Sequence, residues 1–122
     1  DAATAAQQPA YLYYFTHHPS GPYAAQLRAY HAGESRYAFD NVALNPDATE
    51  ADYALGKMMS GYWVAFAKTG NPNHEGAPQW PQWTPETRPF LELGATPRAA
   101  QGLLGEAKAL FDALPPAFRV RR

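Results

Sequence analysis

The stretch from Thr49 to Pro72, TEADYALGKMMSGYWVAFAKTGNP, constrains this chain more than any other, because it admits one long helix and little else. Leu55, Met59, Tyr62 with Trp63, and Phe66 recur at spacings of three and four, which lays a broad apolar face along a helix over 49–69. Thr49 followed by Asp52 is a relative of the capping box, and Glu50 and Asp52 sit where the helix dipole favours negative charge. Gly70 provides a C-terminal stop, and Pro72 prevents a restart. About 20 residues at this rise make a rod of roughly 30 Å. Gly56 and Gly61 inside it should each cost on the order of 1 kcal/mol relative to alanine. Close approach of another backbone is the expected compensation.

A rod with one apolar face needs a surface to cover. Ala10 to Thr16 is a continuous apolar and aromatic run between Pro9 and the turn-forming His17-His18-Pro19-Ser20-Gly21-Pro22, which favours a strand. Its unbroken apolar character predicts coverage on both faces, as inside a parallel sheet, with most of its neighbours outside this sequence. Arg88 to Leu93, RPFLEL, reads as a second strand, with Pro89 near its start where a missing donor is tolerated. Between helix and strand, Trp80 and Trp83 stand among Pro78, Pro81 and Pro85 and are expected to buckle over the helix or the sheet edge. From Arg98 to Leu114 the apolar positions Leu103, Ala107, Leu110, Phe111 and Leu114 predict a second amphipathic helix, stopped by Pro115-Pro116. Strand, loop, helix, buckle, strand and helix in that order make an α/β pattern.

Composition narrows the functional classes. The chain has 122 residues, a formal net charge of −1 and no cysteine, so thiolate chemistry is excluded and nothing favours nucleic acid or an anionic membrane surface. No apolar run approaches the ~18 residues of a membrane helix. The opening DAATAAQQPA lacks the features of a signal peptide; residues 1–9 read as a linker or a cut within a longer polypeptide, and 10–122 as one structural unit. The compartment stays open.

Chemistry concentrates between Leu27 and Asn41, LRAYHAGESRYAFDN. His31 lies in a turn-prone segment, followed after two small residues by Glu34, and an imidazole can accept and return a proton near neutral pH. A histidine that is merely hydrogen-bonded in the fold is the bland alternative. His17 and His18 suggest a metal only weakly, because adjacent histidines point apart in extended chain and no tight ligand spacing accompanies them. No metal or other cofactor is expected.

Around His31 the letters resemble the C-terminal part of the type-B carboxylesterases, the family of cholinesterases and para-nitrobenzyl esterases. Its histidine motif, G-A-x-H-G-x-E followed by an aromatic and F-G-N, corresponds to Arg28-Ala29-Tyr30-His31-Ala32-Gly33-Glu34, then Tyr37 and Phe39-Asp40-Asn41. Arg28 stands for the first motif glycine and Ala32 for the glycine after the histidine, while Ser35 and Arg36 replace apolar residues. Three further stretches agree in order: Tyr11 to Phe15, Tyr62 to Pro72, and Trp80 to Leu93.

The resemblance implies the C-terminal fragment of an α/β-hydrolase fold, in a serine esterase whose triad histidine is His31. Glu34 is then a bracing carboxylate behind it, since the family's triad acid comes from an earlier loop. The chain's serines, Ser20, Ser35 and Ser60, sit in HPSGP, GESRY and MMSGY, none of them the G-x-S-x-G elbow. Serine nucleophile, acid and oxyanion-hole glycines are therefore expected from a missing N-terminal part. Small-molecule esters are the expected substrates, and open strand edges make self-association a hazard. The rival reading is a non-enzymatic module that binds a partner or glycan through Trp80, Trp83 and the Tyr11–Phe15 edge.

Overall fold

A computed structural model describes residues 8–103 together with 105, 109 and 113. Its organising element is the helix expected from the sequence, here α3, Glu50–Thr69, after the short helices α1, Ala24–Leu27, and α2, Ser35–Ala38. A 3-10 turn, Val42–Leu44, precedes α3. Both halves of the capping box form: Thr49 Oγ1 accepts the Asp52 N–H at 3.4 Å, and Asp52 Oδ2 accepts the Thr49 N–H at 2.8 Å. Gly70 closes the helix at φ 75°, donating its N–H to the Phe66 carbonyl at 2.8 Å.

The two helix glycines do meet close neighbours, but these are side chains rather than backbone. A Cβ on Gly56 would lie 2.5 Å from Val42 Cγ2, and one on Gly61 would lie 2.7 Å from His74 Nε2. Val42 is buried and β-branched and cannot swing aside, so the helix gives up propensity to seat the 3-10 turn.

Strands β1 (Tyr13–Phe15), β2 (Pro89–Leu93) and β3 (Arg98–Gln101) form a sheet in the order β1-β2-β3. β1 runs parallel to β2, with Tyr13 opposite Leu91 and Phe15 opposite Leu93. β3 runs antiparallel to β2. The β1 run is shorter than the apolar stretch, and only one of its faces is covered. Tyr11, Tyr13 and Phe15 pack on the core, whereas Leu12 and Tyr14 remain 37% and 44% exposed. Within the described residues α3 covers one face of the sheet, and the neighbours expected for the other face are assigned to segments outside this sequence.

Arg98–Gln101 corrects the second helix at its start. These residues pair with β2 instead, and Arg98 Nη2 meets Glu92 Oε2 across the ladder at 2.7 Å. Pairing with an available edge outweighs the helix preference of two alanines. Gly105, Ala109 and Ala113 are helical, while the stripe positions Ala107, Leu110, Phe111 and Leu114 lie outside the described residues.

The core gathers Tyr37, Val42, Leu55, Met59, Tyr62, Trp80, Leu91 and Leu93. Trp80 is the expected buckle: only 5% exposed, it donates Nε1–H to the Leu12 carbonyl at 2.9 Å and meets Tyr11, Tyr13 and Tyr62 edge-on. Trp83 is half-buried, and its backbone N–H donates to the Ala10 carbonyl at 2.8 Å. At this exposure Trp80 is not the exposed aromatic on which the rival module relied. Among the described residues no helix is long and apolar enough to cross a membrane.

Candidate functional site

The loop leaving the carboxyl end of β1 carries every site residue the sequence suggested. In sheets with parallel strands this is the end at which sites are assembled. His31 sits in the turn between α1 and α2 with its side chain exposed. Glu34 is half-buried at the N-cap of α2; its carbonyl accepts the N–H groups of Tyr37 and Ala38, both at 3.0 Å. Its carboxylate faces Tyr13 of β1, whose phenol pKa is raised first by burial and then by the Glu34 charge. No hydrogen bond joins His31 to Glu34 among the described residues.

The loop's backbone is strained on both sides of His31. Arg28 lies at φ 51°, ψ −140°, and Ala32 at φ 61°, with Asp40 at φ 54° beyond α2. These are the three positions at which the histidine motif has glycine. Left-handed backbone costs an L-residue about 1–2 kcal/mol, against the smaller entropic cost of glycine in the unfolded chain. Arg28→Gly is expected to raise unfolding stability by about 1 kcal/mol, seen as a higher thermal midpoint. A lowered midpoint would contradict the strain.

A second cluster lies beneath this loop, and the sequence did not reveal it. Asp52, in the first turn of α3, is fully buried. Its Oδ1 accepts from the Tyr37 hydroxyl at 2.5 Å and from His17 Nε2 at 2.8 Å. Oδ2 accepts from Ser20 Oγ at 2.5 Å and from Thr49 Oγ1 at 2.6 Å, besides the Thr49 N–H. A carboxylate only accepts, so His17 presents Nε2–H to it. Burial alone would raise the Asp52 pKa, but the bonds from Ser20, Thr49, Tyr37 and His17 outweigh it and hold the carboxyl well below the usual range. Tyr37 moves the opposite way: burial, then its bond to Asp52, push the phenol far up. His17 is thus a structural histidine bonded to α3 rather than a surface one, whereas His18 is exposed. From sequence, Asp52 carried only the Thr-x-x-Asp capping signal, which says nothing of the partners that reach it from elsewhere.

Ser20, Asp52 and His17 are the residue types of a catalytic triad in the wrong order. Nucleophilic serine must bond the imidazole, which the carboxylate in turn orients. Here Ser20 and His17 both donate to the carboxylate and are held by it. Ser60 Oγ donates to the Lys57 carbonyl at 3.2 Å, and Ser35 is exposed as the first residue of α2. None of the three is activated. An apolar hollow lined by Tyr11, Tyr13, Tyr62, Trp63, Phe66 and Trp80 has no carboxylate, imidazole or serine and so offers no proton carrier or nucleophile of the triad kind.

Comparison with known proteins bears directly on this geometry. The sequence model of the "Carboxylesterase family" matches residues 1–111. The chain is similar to the medium-chain fatty acyl-CoA hydrolase precursor of Anas platyrhynchos, 39% identical over 101 residues, covering 80% of this chain and 18% of that protein. It is similar to carboxylesterase 1C of Rattus norvegicus, 34% identical over 109 residues, covering 87% and 20%. Among solved structures, a PNB esterase aligns with a TM-score of 0.75 at 29% identity, covering 93% of this chain and 23% of that one. The chain thus spans about a fifth of the length of the curated relatives it matches.

Proposed function

This chain belongs to the carboxylesterase family and has the α/β-hydrolase fold of its esterase neighbours in fragment form, and from that premise we propose that it supplies the histidine of a serine carboxylesterase. His31 takes the proton of a serine hydroxyl as it attacks the ester carbonyl, and returns it to the departing alcohol. In the second half-reaction His31 activates water in the same way, and the carboxylic acid leaves. The serine, the carboxylate that orients the ring, and the oxyanion donors come from outside residues 8–103. Glu34 braces the loop against β1 through Tyr13. The outer edge of β1 receives the next strand of the hydrolase sheet, and segments outside residues 8–103 cover the face that carries Leu12 and Tyr14.

The observation that carries this reading is the position of His31. It is an exposed imidazole on the loop that leaves the carboxyl end of a strand in parallel pairing, in the register of the family's histidine motif. The wiring of the serines supports the other half: Ser20 is spoken for by Asp52 and Ser60 by a backbone carbonyl. A p-nitrophenyl ester assay tests both. The 122-residue chain should show no serine-dependent turnover, whereas the full-length protein that carries it should hydrolyse the ester. Hydrolysis by the 122-residue chain that disappears on replacing Ser20, Ser35 or Ser60 would sink the proposal.

A further inference from the structure

We infer that Asp52 is a positioning residue that clamps both ends of the loop bearing His31, with Tyr37 as its contact to the downstream end. This inference rests on the proposed role of His31. At the upstream end, His17 and Ser20 bond the carboxylate at 2.8 and 2.5 Å; at the downstream end the Tyr37 hydroxyl bonds it at 2.5 Å. The segment between Ser20 and Tyr37 contains His31, and the one carboxylate fixes where it starts and where it finishes.

Three features make a positioning role more than a description of contacts. Asp52 belongs to the first turn of a 20-residue helix and is itself held by both halves of a capping box, so the anchor is stiff. Tyr37 packs against the upstream end as well as bonding below it, with ring centroids 5.5 Å from Phe15 and 5.2 Å from His17. The loop also holds Arg28 and Ala32 in left-handed conformations, which persist only where the surroundings over-determine them. Fastening both ends at one point provides that constraint. A histidine that must meet a serine hydroxyl within a few tenths of an ångström depends on such a scaffold, since a misplacement near 1 Å can cost on the order of 100-fold in rate.

Tyr37→Phe in the full-length esterase tests this, because it keeps the packed ring and removes only the bond to Asp52. The expected result is a kcat on a p-nitrophenyl ester lower by about 10- to 100-fold with KM within about twofold. The 13C-labelled imidazole signal of His31, identified by its loss in His31→Gln, should shift in the same variant. Ser20→Ala, which cuts the upstream end, should do both to a lesser degree and provides the test if Tyr37→Phe fails to fold. An unchanged His31 signal overturns the clamp, whether kcat falls by another route or stays the same while the melting temperature drops. Should His31→Ala leave turnover intact, the proton-carrier role fails, but the His31 signal still decides the clamp: a shift in Tyr37→Phe upholds it and no shift overturns it.

Discussion

His31→Ala in the full-length protein is expected to lower kcat on a p-nitrophenyl ester by several orders of magnitude, roughly 10,000-fold or more, with KM little changed. The reason lies in what a serine hydroxyl lacks. Its own pKa leaves it protonated at neutral pH, so attack requires a base at the moment of bond formation, and expulsion of the alcohol requires the same proton back. An imidazole serves both steps, and neither Glu34 nor His17 can replace it. Glu34 faces Tyr13 on β1, away from the position of the ring. His17 is committed to Asp52 under the loop. Binding of the ester depends on pocket walls rather than on the proton carrier, which is why KM should hold. Measuring kcat and KM for His31→Ala and for Glu34→Gln separates the roles: the second substitution should cost far less. A near-normal kcat in His31→Ala would remove the residue from the mechanism.

Asp52→Asn should be a strongly destabilising change, costing about 3 kcal/mol. An asparagine turns one acceptor oxygen into an NH2 group, which then faces donors. Ser20, Thr49, Tyr37 and His17 all point hydrogens at this side chain, so the variant loses the charge that strengthens these bonds and forces the partners of the new NH2 to turn from donating to accepting. The effect depends on pH with a definite sign. Folding depresses the Asp52 pKa, so the ionised carboxylate stabilises the native state fully above its unfolded value near pH 4, and that stability is lost as pH falls toward the folded value. The gap between wild type and Asp52→Asn should therefore be level down to about pH 5 and narrow by about 1.4 kcal/mol per pH unit below about pH 4. Denaturant unfolding at several pH values measures it. A gap that stays constant to pH 3 would mean that the charge on Asp52 contributes nothing.

The two predictions draw on different kinds of knowledge. His31 and Glu34 stand in a motif of neighbouring letters, and the structure adds the strand end from which their loop departs. Arg28, Ala32 and Asp40 could be read as departures from the motif, but that each sits at positive φ required the backbone itself. Asp52 could be read only as a capping residue.

What the amino-acid sequence determined by itself was whatever depends on residues a few positions apart. The helix from Thr49 to Gly70, with its box and its glycine stop, is written in side chains that bond within one turn of each other. The strand at Pro89–Leu93 and the buckle of Trp80 follow from apolar runs set between prolines. Tertiary structure decided the rest. It made Asp52 a hub for groups 15, 32 and 35 positions away, drew Arg98–Gln101 out of a helix and onto β2, and filled the spaces at Gly56 and Gly61 with Val42 and His74. Local hydrogen bonds and periodicity are fixed by chain connectivity, whereas a buried carboxylate takes whichever donors the packed chain brings to it.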